Sequence, residues 1–178
     1  KEIIEKGIAM AFVPEDRLGM GLVAGLDMVE NMLVKTYSSG KGAFVQRAPA
    51  EALALRLIDE LQIDTPGIHT PVRQLSGGNV QKVLLGREIE SAPSILISAY
   101  PVRGLDINST YTIYNLLNAQ KERGVAVLFI GEDLDVLIEL CDRILVLCGG
   151  RVTGLVDTKN ITKEEIGLMM VEGRASDE

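Results

Sequence analysis

The second half of the chain alternates between short apolar runs and longer stretches in which apolar residues recur every three or four positions. The runs at 95–99 and 125–130 have the length and β-branched content of buried strands. Residues 108–123 have the period of a helix, which we expect to end before Gly124 because glycine readily adopts the left-handed conformation that closes helices. Strand, helix and strand in this order predict an α/β layered sheet.

The C-terminal part of the chain continues the alternation with shorter elements. Gly149 and Gly150 predict a tight hairpin turn. Thr162 and Glu165 have the spacing of a capping box, in which each side chain bonds the other residue's backbone amide at a helix start. The predicted elements are a short helix at 134–141, strands at 143–147 and 151–156, and a last helix opened by Thr162.

The first half of the chain predicts one strand followed by helices and polar loops. Asp27 is a predicted N-cap, because its carboxylate can accept from the unpaired amides of a helix start. We expect the residues from about 25 to 90 to form a helical insert, with 1–24 and 91–178 as parts of one α/β core. The predicted elements are a strand at 8–13 closed by Pro14, a helix after Asp27, a loop at 38–49, an amphipathic helix with Leu53, Leu57, Ile58 and Leu61 on one face, a loop at 62–74, and a helix at 78–90.

The composition narrows the class of protein. The 178 residues suit one domain, and the apolar fraction of 47% is that of a folded protein. The net charge of −7 argues against a general nucleic-acid surface, because phosphate neutralisation needs clustered Lys and Arg. No run approaches the roughly 18 apolar residues that span a bilayer. Cys141 and Cys148 lie among apolar residues, so we expect buried, reduced thiols of a cytosolic protein, with a disulfide as the alternative.

The segment QLSGGNVQK at 74–82 carries the clearest candidate chemistry. Ser76, Gly77 and Gly78 stand directly before an amphipathic helix, which places a hydroxyl and several unpaired backbone N–H groups at the positive end of that helix. Glycine also lets a phosphate approach the backbone closely. Two interpretations follow from these residues alone: an anion site, or a serine N-cap after a flexible loop.

This segment and its surroundings resemble an ATP-binding cassette of the ABC family. The combination of VPEDR, LSGGN and PVRGLD most resembles the second cassette of importers for simple sugars and nucleosides, whose ATP-binding subunits carry two cassettes on one polypeptide. The matches run along almost the whole chain: LSGGN with Asn79, Gln81 and Lys82 for the signature, 95–99 for the Walker B strand, RGLD ending in Asp106 for the D-loop, 12–23 for the Q-loop region, and 128–137 for the switch segment.

The resemblance implies a fold and a set of binding residues. The fold would be a partial P-loop NTPase of the RecA-like type, with a helical signature subdomain inserted and the Walker A part missing. The residues that would bind nucleotide are Glu15, Ser76, Gly77, Gly78, Asn79, Gln81 and Asp106.

The sequence departs from the family's pattern where hydrolysis takes place. No G-x-x-x-x-G-K-[ST] motif occurs; Gly40 and Lys41 lack the upstream glycine and are followed by Gly42, so we expect the P-loop to lie before Lys1 and the chain to be a fragment. By the resemblance, Ala99 replaces the metal-supporting Asp, Tyr100 the water-orienting Glu, Glu132 the switch His, and Glu15 the Q-loop Gln.

The resemblance also implies a division of labour between two cassettes. Cassettes of this family pair head to tail, and each nucleotide lies between one P-loop and the other cassette's signature. The site on this chain would be degenerate, while its signature would serve the partner cassette. The intact transporter would use ATP and Mg²⁺, whereas the fragment alone is expected to hold neither and to be inactive. Its partners would be the other cassette and membrane-spanning permease subunits, which would hold it at the cytoplasmic face of the cell membrane.

Other interpretations stay open for single residues and for the whole protein. One alternative function is a non-transport ABC-type ATPase, such as a DNA-repair or translation factor, which the acidic balance disfavours. Another is a small-molecule enzyme on a doubly wound sheet, which the lack of a Gly-rich βα turn disfavours. The simpler residue roles are space filling for Tyr100, solvated loop acids for Glu15 and Glu132, shaping of the D-loop turn for Arg103, a plain loop residue for His69, and a core or a partner helix for Met28 and Met32.

Overall fold

The computed structural model describes residues 9–36 and 45–172. Gly40 and Lys41 lie outside these ranges, as does most of the predicted loop at 38–49. The described residues form two units, which divide between Ile130 and Gly131. The expected division into a helical insert and a surrounding core stays a prediction.

A parallel sheet in the strand order β1-β2-β3 lies in the first unit. Its strands are β1 Met10–Val13, β2 Ile95–Ala99 and β3 Ala126–Ile130. Parallel neighbours need long crossover connections, and helices supply them here. In the register, Phe12 pairs with Ile97, which in turn pairs with Leu128.

The two faces of this sheet differ in exposure. On one face, alternate residues of the first two strands are buried, among them Val13 and Leu96, and form part of the main core. The opposite face, called here the open sheet face, consists of apolar side chains from all three strands. Its most exposed members are Met10, Phe12, Leu128 and Ile130.

The described part of the first unit includes four α-helices. Met28 and Met32 on the first of them are fully buried, which confirms the core as their environment. Where the second and third helices meet, a Cβ on Gly86 would lie 2.9 Å from a methyl of Leu57, so glycine allows this close approach. The helices are α1 Met28–Thr36, α2 Ala48–Leu61, α3 Gly77–Glu90 and α4 Ile107–Glu122.

The second unit is a hairpin with helices before and after it. Gly149 and Gly150 have φ of 55° and 76°, as a tight hairpin turn requires. The predicted capping box is confirmed, since Thr162 N donates to Glu165 Oε2 at 2.8 Å and Glu165 N donates to Thr162 Oγ1 at 3.3 Å. The elements are α5 Leu134–Leu140, the antiparallel pair β4 Arg143–Cys148 and β5 Arg151–Asp157, and α6 Lys163–Glu172.

The structure also shows the surroundings of the two cysteines and the length and apolar content of the helices. Cys141 and Cys148 form no disulfide, and both are half-buried rather than buried; Cys141 follows the last residue of α5 and Cys148 ends β4. Among the described residues, no helix combines the length and the apolar content that crossing a membrane requires.

Candidate functional site

Ser76 caps α3 and keeps its own proton available. Its Oγ accepts hydrogen bonds from the backbone N and from Nδ2 of Asn79, at 3.4 and 3.0 Å. A hydroxyl has two acceptor positions and one donor, so both acceptor positions are filled. The Ser76 O–H donates to no acceptor among the described residues. The N-cap and the anion site, which the sequence presents as alternatives, are therefore compatible in one geometry.

Gly78 lies against the start of α4. A Cβ at this position would lie 2.3 Å from Ser109 Oγ, closer than atoms can come. Ser109 in turn bonds Asp106 twice, with its N donating to Oδ1 at 2.9 Å and its Oγ to Oδ2 at 2.6 Å. These bonds, led by the side-chain bond from Ser109, lower the pKa of Asp106 below its ordinary value. The structure thus brings the predicted site residues Gly78 and Asp106 together through Ser109.

A π-helical turn at Arg17–Gly21 lies beside the start of α3, and the sequence pattern does not predict it. Asp16 caps this turn by accepting from Gly19 N at 2.9 Å. Arg17 Nε donates to Gln81 Oε1 at 2.7 Å, and Arg17 NH2 donates to the carbonyl oxygen of Arg103. Burial lowers the pKa of Arg17, and the charge of Glu15 opposes this shift.

Gln81 is fully buried, so its side chain is not offered to a ligand at the surface. Its Oε1 accepts from Arg17. Its Nε2 has no partner among the described residues, although a buried unpaired donor is destabilising. The structure therefore directs Gln81 toward Arg17.

The end of β2 carries an aromatic ring and a guanidinium where the resemblance expects carboxylates. Tyr100 has φ of 48°, and its N donates to the Ile130 carbonyl at 2.8 Å. The guanidinium carbon of Arg103 lies 5.9 Å from the centre of the Tyr100 ring, within the range of a cation–π contact. The same guanidinium pairs with Glu15. Glu15 is therefore an exposed acid whose carboxylate is paired with Arg103, and its role toward a nucleotide stays a prediction.

These residues do not fit a Mg²⁺ ion. Ala99 has no ligand atom in its side chain, and the Glu15 carboxylate is engaged by Arg103. In the described ranges, no group of three or more His, Cys, Asp and Glu side chains could hold a metal. The start of α3, by contrast, has the hydroxyl and the amides that suit a phosphate.

Glu132 belongs to the second unit and is exposed there. The neighbouring Asp133 caps α5, since its Oδ1 accepts from Asp135 N at 3.0 Å and from Val136 N at 3.4 Å. The role assigned to Glu132 by resemblance stays a prediction.

A buried asparagine that the sequence analysis missed fixes the loop before α1. Asn31 is fully buried and its Nδ2 donates to the carbonyls of Val23, Leu26 and Asp27 at 3.2, 3.3 and 2.9 Å. Its Oδ1 accepts from Val23 N at 2.8 Å. The available signal was an amide on the apolar side of a helix, between Met28 and Met32.

Asp27 caps α1 as predicted, because it accepts from Glu30 N at 2.7 Å. Its other carboxylate oxygen lies 2.9 Å from Nδ1 of His69. His69 is thus bound to a helix cap, and the loop interpretation accounts for it.

A buried ion cluster that the sequence analysis also missed joins α1, α3 and the π-helical turn. Glu88 is 1% exposed; its carboxylate pairs with Lys35 Nζ at 2.8 Å and with Arg87 NH2 at 2.8 Å. Arg87 NH2 also donates to the Gly21 carbonyl at 2.6 Å. The cluster holds the far end of the π-helical turn against α3.

In fold, the chain matches solved ATP-binding cassettes. It aligns with the dimeric cassette MJ0796 bound to ADP and Pi with a TM-score of 0.71, over 86% of this chain and 65% of that one, at 23% identity. It aligns equally well, with a TM-score of 0.71, with an inward-facing putative metal-chelate type ABC transporter, over 91% of this chain and 63% of that one at 19% identity. The chain therefore has the ABC ATPase cassette fold, an α/β P-loop NTPase architecture of which it spans a part.

In sequence, the chain is similar to import ATP-binding proteins for sugars and nucleosides. It is 36% identical over 166 residues to the xylose import protein XylG of Moorella thermoacetica, covering 93% of this chain and 32% of that protein. It is 37% identical to the guanosine import protein NupO of Bacillus subtilis over 174 residues, 96% of this chain and 34% of that protein. The ribose import protein RbsA of Corynebacterium glutamicum is 33% identical, over 96% and 32%. No family model matches the chain. The chain spans about a third of the length of these relatives.

Proposed function

We propose that this chain is the C-terminal part of the second cassette of an ATP-binding protein that drives import of a simple sugar or a nucleoside. The relatives named above, which are import ATP-binding proteins for xylose, guanosine and ribose, support the transport class. The sequence combination VPEDR, LSGGN and PVRGLD supports the second cassette.

One observation carries the proposed division of labour. The start of α3 presents the Ser76 O–H and the amides of Gly77 and Gly78 at one helix end, which is the donor set that an anion would need. The end of β2 carries Ala99 and Tyr100 where the resemblance expects carboxylates, and Arg103 and Glu15 are paired with each other beside it. An intact signature beside a degenerate strand end fits a cassette that serves its partner's nucleotide.

The chemistry of the signature turn follows from its donors. A terminal phosphate is an acceptor with several charged oxygens, and hydrogen bonds to such groups are roughly twice as strong as neutral ones. Ser76 contributes a hydroxyl whose acceptor positions are already filled by Asn79. The positive end of α3 favours the negative charge. Gly78 packs closely against Ser109, which is itself bonded to Asp106.

The partners and the place of action follow from the same proposal. The other cassette would supply the P-loop and the nucleotide, ATP with Mg²⁺. Permease subunits would hold the assembly at the cytoplasmic face of the membrane. ATP hydrolysis would be coupled to import there.

The test is Ser76→Arg in the intact transporter, with uptake and ATPase activity measured in vesicles. A long cation at the start of α3 should block closure on the nucleotide and abolish both activities, while the fold is retained because the position is exposed. The matched control is Ser91→Arg at the opposite end of the same helix, which should leave both activities near wild type. Normal uptake in Ser76→Arg would mean that Ser76 acts only as a helix cap, and it would overturn the proposal.

A further inference from the structure

We propose that Arg17 is a positioning residue, which holds the signature turn at 76–79 and the turn at 100–106 in one fixed arrangement. The inference rests on the proposed function, because the group that it positions is the signature turn. Arg17 belongs neither to the signature turn nor to the end of β2. The contacts of the Arg17 guanidinium with Gln81 and Arg103 support this role.

The Arg17 guanidinium bridges two segments that are distant in sequence. Nε donates to Gln81 Oε1 on α3, and NH2 donates to the backbone carbonyl of Arg103. A guanidinium is a rigid planar fork, so two acceptors fix both its position and its orientation. A Cβ on Gly77 would lie 3.6 Å from Arg17 NH1, which places the fork beside the first residue of α3.

The state of Gln81 indicates that its purpose is this contact. The side chain is fully buried. Its Oε1 accepts a hydrogen bond from Arg17, while its Nε2 has no partner among the described residues. For stability alone, an apolar residue of similar shape would serve better, since it would leave no unpaired donor. A buried glutamine with half its capacity unused is explained by the acceptor that it offers to Arg17.

The segments at both sides of Arg17 are themselves held. Asp16 caps the π-helical turn at its start, and Arg87 binds the Gly21 carbonyl at its end. Arg103, whose carbonyl receives NH2, is fixed by Glu15 and by the Tyr100 ring. A movement of the turn would therefore displace the start of α3 and the 100–106 segment together. Partial burial of Arg17 strengthens its hydrogen bonds, because fewer waters compete for them.

The test is hydrogen–deuterium exchange of the intact protein, read on peptides that cover 76–85 and 100–110. Arg17→Met should raise exchange in both peptides by about tenfold, since bonds to a charged donor are lost on both sides. Arg17→Lys should raise it similarly, because a single ammonium cannot replace the fork. The matched control is Arg56→Met, which removes an arginine paired with Glu90 at the other end of α3 and should leave both peptides unchanged.

A second pair of variants tests the contact from the side of Gln81. Gln81→Glu keeps the acceptor and should leave exchange at 76–85 near the wild-type level, whereas Gln81→Met removes the acceptor and should raise it like Arg17→Met. This pair carries the test if Arg17→Met does not fold. Equal exchange in the two Gln81 variants, or no rise in either Arg17 variant, overturns the positioning role.

ATPase activity at saturating ATP, measured on the same Arg17 variants in the assembled transporter, separates this inference from the proposed function. Raised exchange with lowered turnover supports both. Raised exchange with unchanged turnover supports the positioning role and overturns the function assigned to the signature turn. Unchanged exchange overturns the positioning role whatever the turnover.

Discussion

At Gly78 the backbone of α3 comes so close to Ser109 that a single additional carbon atom has no room. Gly67, in the loop before α3, by comparison has no atom within 4 Å of the position of a Cβ. The two glycines therefore offer a matched pair in which only one is required by packing.

We predict that Gly78→Ala lowers the free energy of unfolding by about 1 to 3 kcal/mol, because the added methyl forces α3 and α4 apart. Gly67→Ala should change it by less than about 1 kcal/mol. Urea denaturation of the two variants and the wild type measures the difference. A Gly78→Ala variant as stable as Gly67→Ala would mean that the start of α4 can shift without lowering the free energy of unfolding.

The contact between Asp106 and Ser109 also predicts how the Asp106 carboxylate titrates. The hydrogen bonds from Ser109 lower the pKa of Asp106, so the stabilisation that they provide is present above the ordinary pKa of an aspartate and is lost as pH falls through the lowered, folded-state value. In Ser109→Ala, the Asp106 titration midpoint should move up toward the ordinary value, because the side-chain donor is the largest cause. Carbon NMR of the labelled carboxyl group measures both midpoints. Identical midpoints in the two proteins would contradict the assigned cause.

Among the elements, the connection of α1 and α3 depends on a buried carboxylate. Glu88 is 1% exposed and Arg87 is 6% exposed. If either charge were removed, water could not reach the other to solvate it. We predict that Glu88→Gln destabilises the protein by about 3 kcal/mol, because it leaves the Arg87 charge buried and only weakly compensated. Glu90→Gln removes a half-exposed partner of Arg56 two residues further along and should cost less than about 1 kcal/mol. Thermal or urea unfolding measures both, and equal losses would show that Glu88 is effectively solvated.

The element scale also shows what the sequence can and cannot predict. The strand at 95–99 is found as β2 Ile95–Ala99, and the helix expected at 108–123 as Ile107–Glu122, because periodicity and glycine stops are local signals. The turn at Arg17–Gly21 escapes prediction, since a single π-helical turn has no period to recognise. The contacts of Arg17 with Gln81 and Arg103 join residues 64 and 86 positions apart, and no local pattern encodes such a pairing.

The candidate site divides in the same way. The hydroxyl and glycines at the start of α3 were predictable from their position before an apolar periodic run. The burial of Gln81 and the engagement of Glu15 were not, because both depend on partners that tertiary packing alone brings near.

For the whole molecule, we predict weak ATP binding or none by the 178-residue chain alone. The chain contains no phosphate-cradling G-x-x-x-x-G-K-[ST] motif. A helix end contributes only about 0.3 to 1 kcal/mol to anion binding, whereas micromolar affinity corresponds to about 8 kcal/mol. Calorimetric titration with ATP measures the affinity, and a micromolar dissociation constant would contradict the expectation.

We further predict that the double substitution Ala99→Asp, Tyr100→Glu does not convert this chain into an ATPase. Phosphoryl transfer depends on several positioned groups at once, and the loss of one electrostatic donor alone costs on the order of 10²-fold in rate. The substitution would also remove the ring beneath Arg103 and add acids near Glu15. Phosphate release above background from the purified variant would reveal a phosphate site elsewhere in the chain.

The open sheet face described above has a consequence for how the chain behaves in bulk. Met10 and Phe12 on β1 and Leu128 and Ile130 on β3 are between 40% and 60% exposed, and the partly exposed Ile97 of β2 lies between them. Contiguous apolar surface of this kind promotes adhesion between molecules. Encounters between like chains increase with the square of their concentration, whereas folding proceeds at the same rate at any dilution. We therefore expect dilution to set the yield of monomer, and a purification that ends in a concentrated stock to lose material that a dilute one retains.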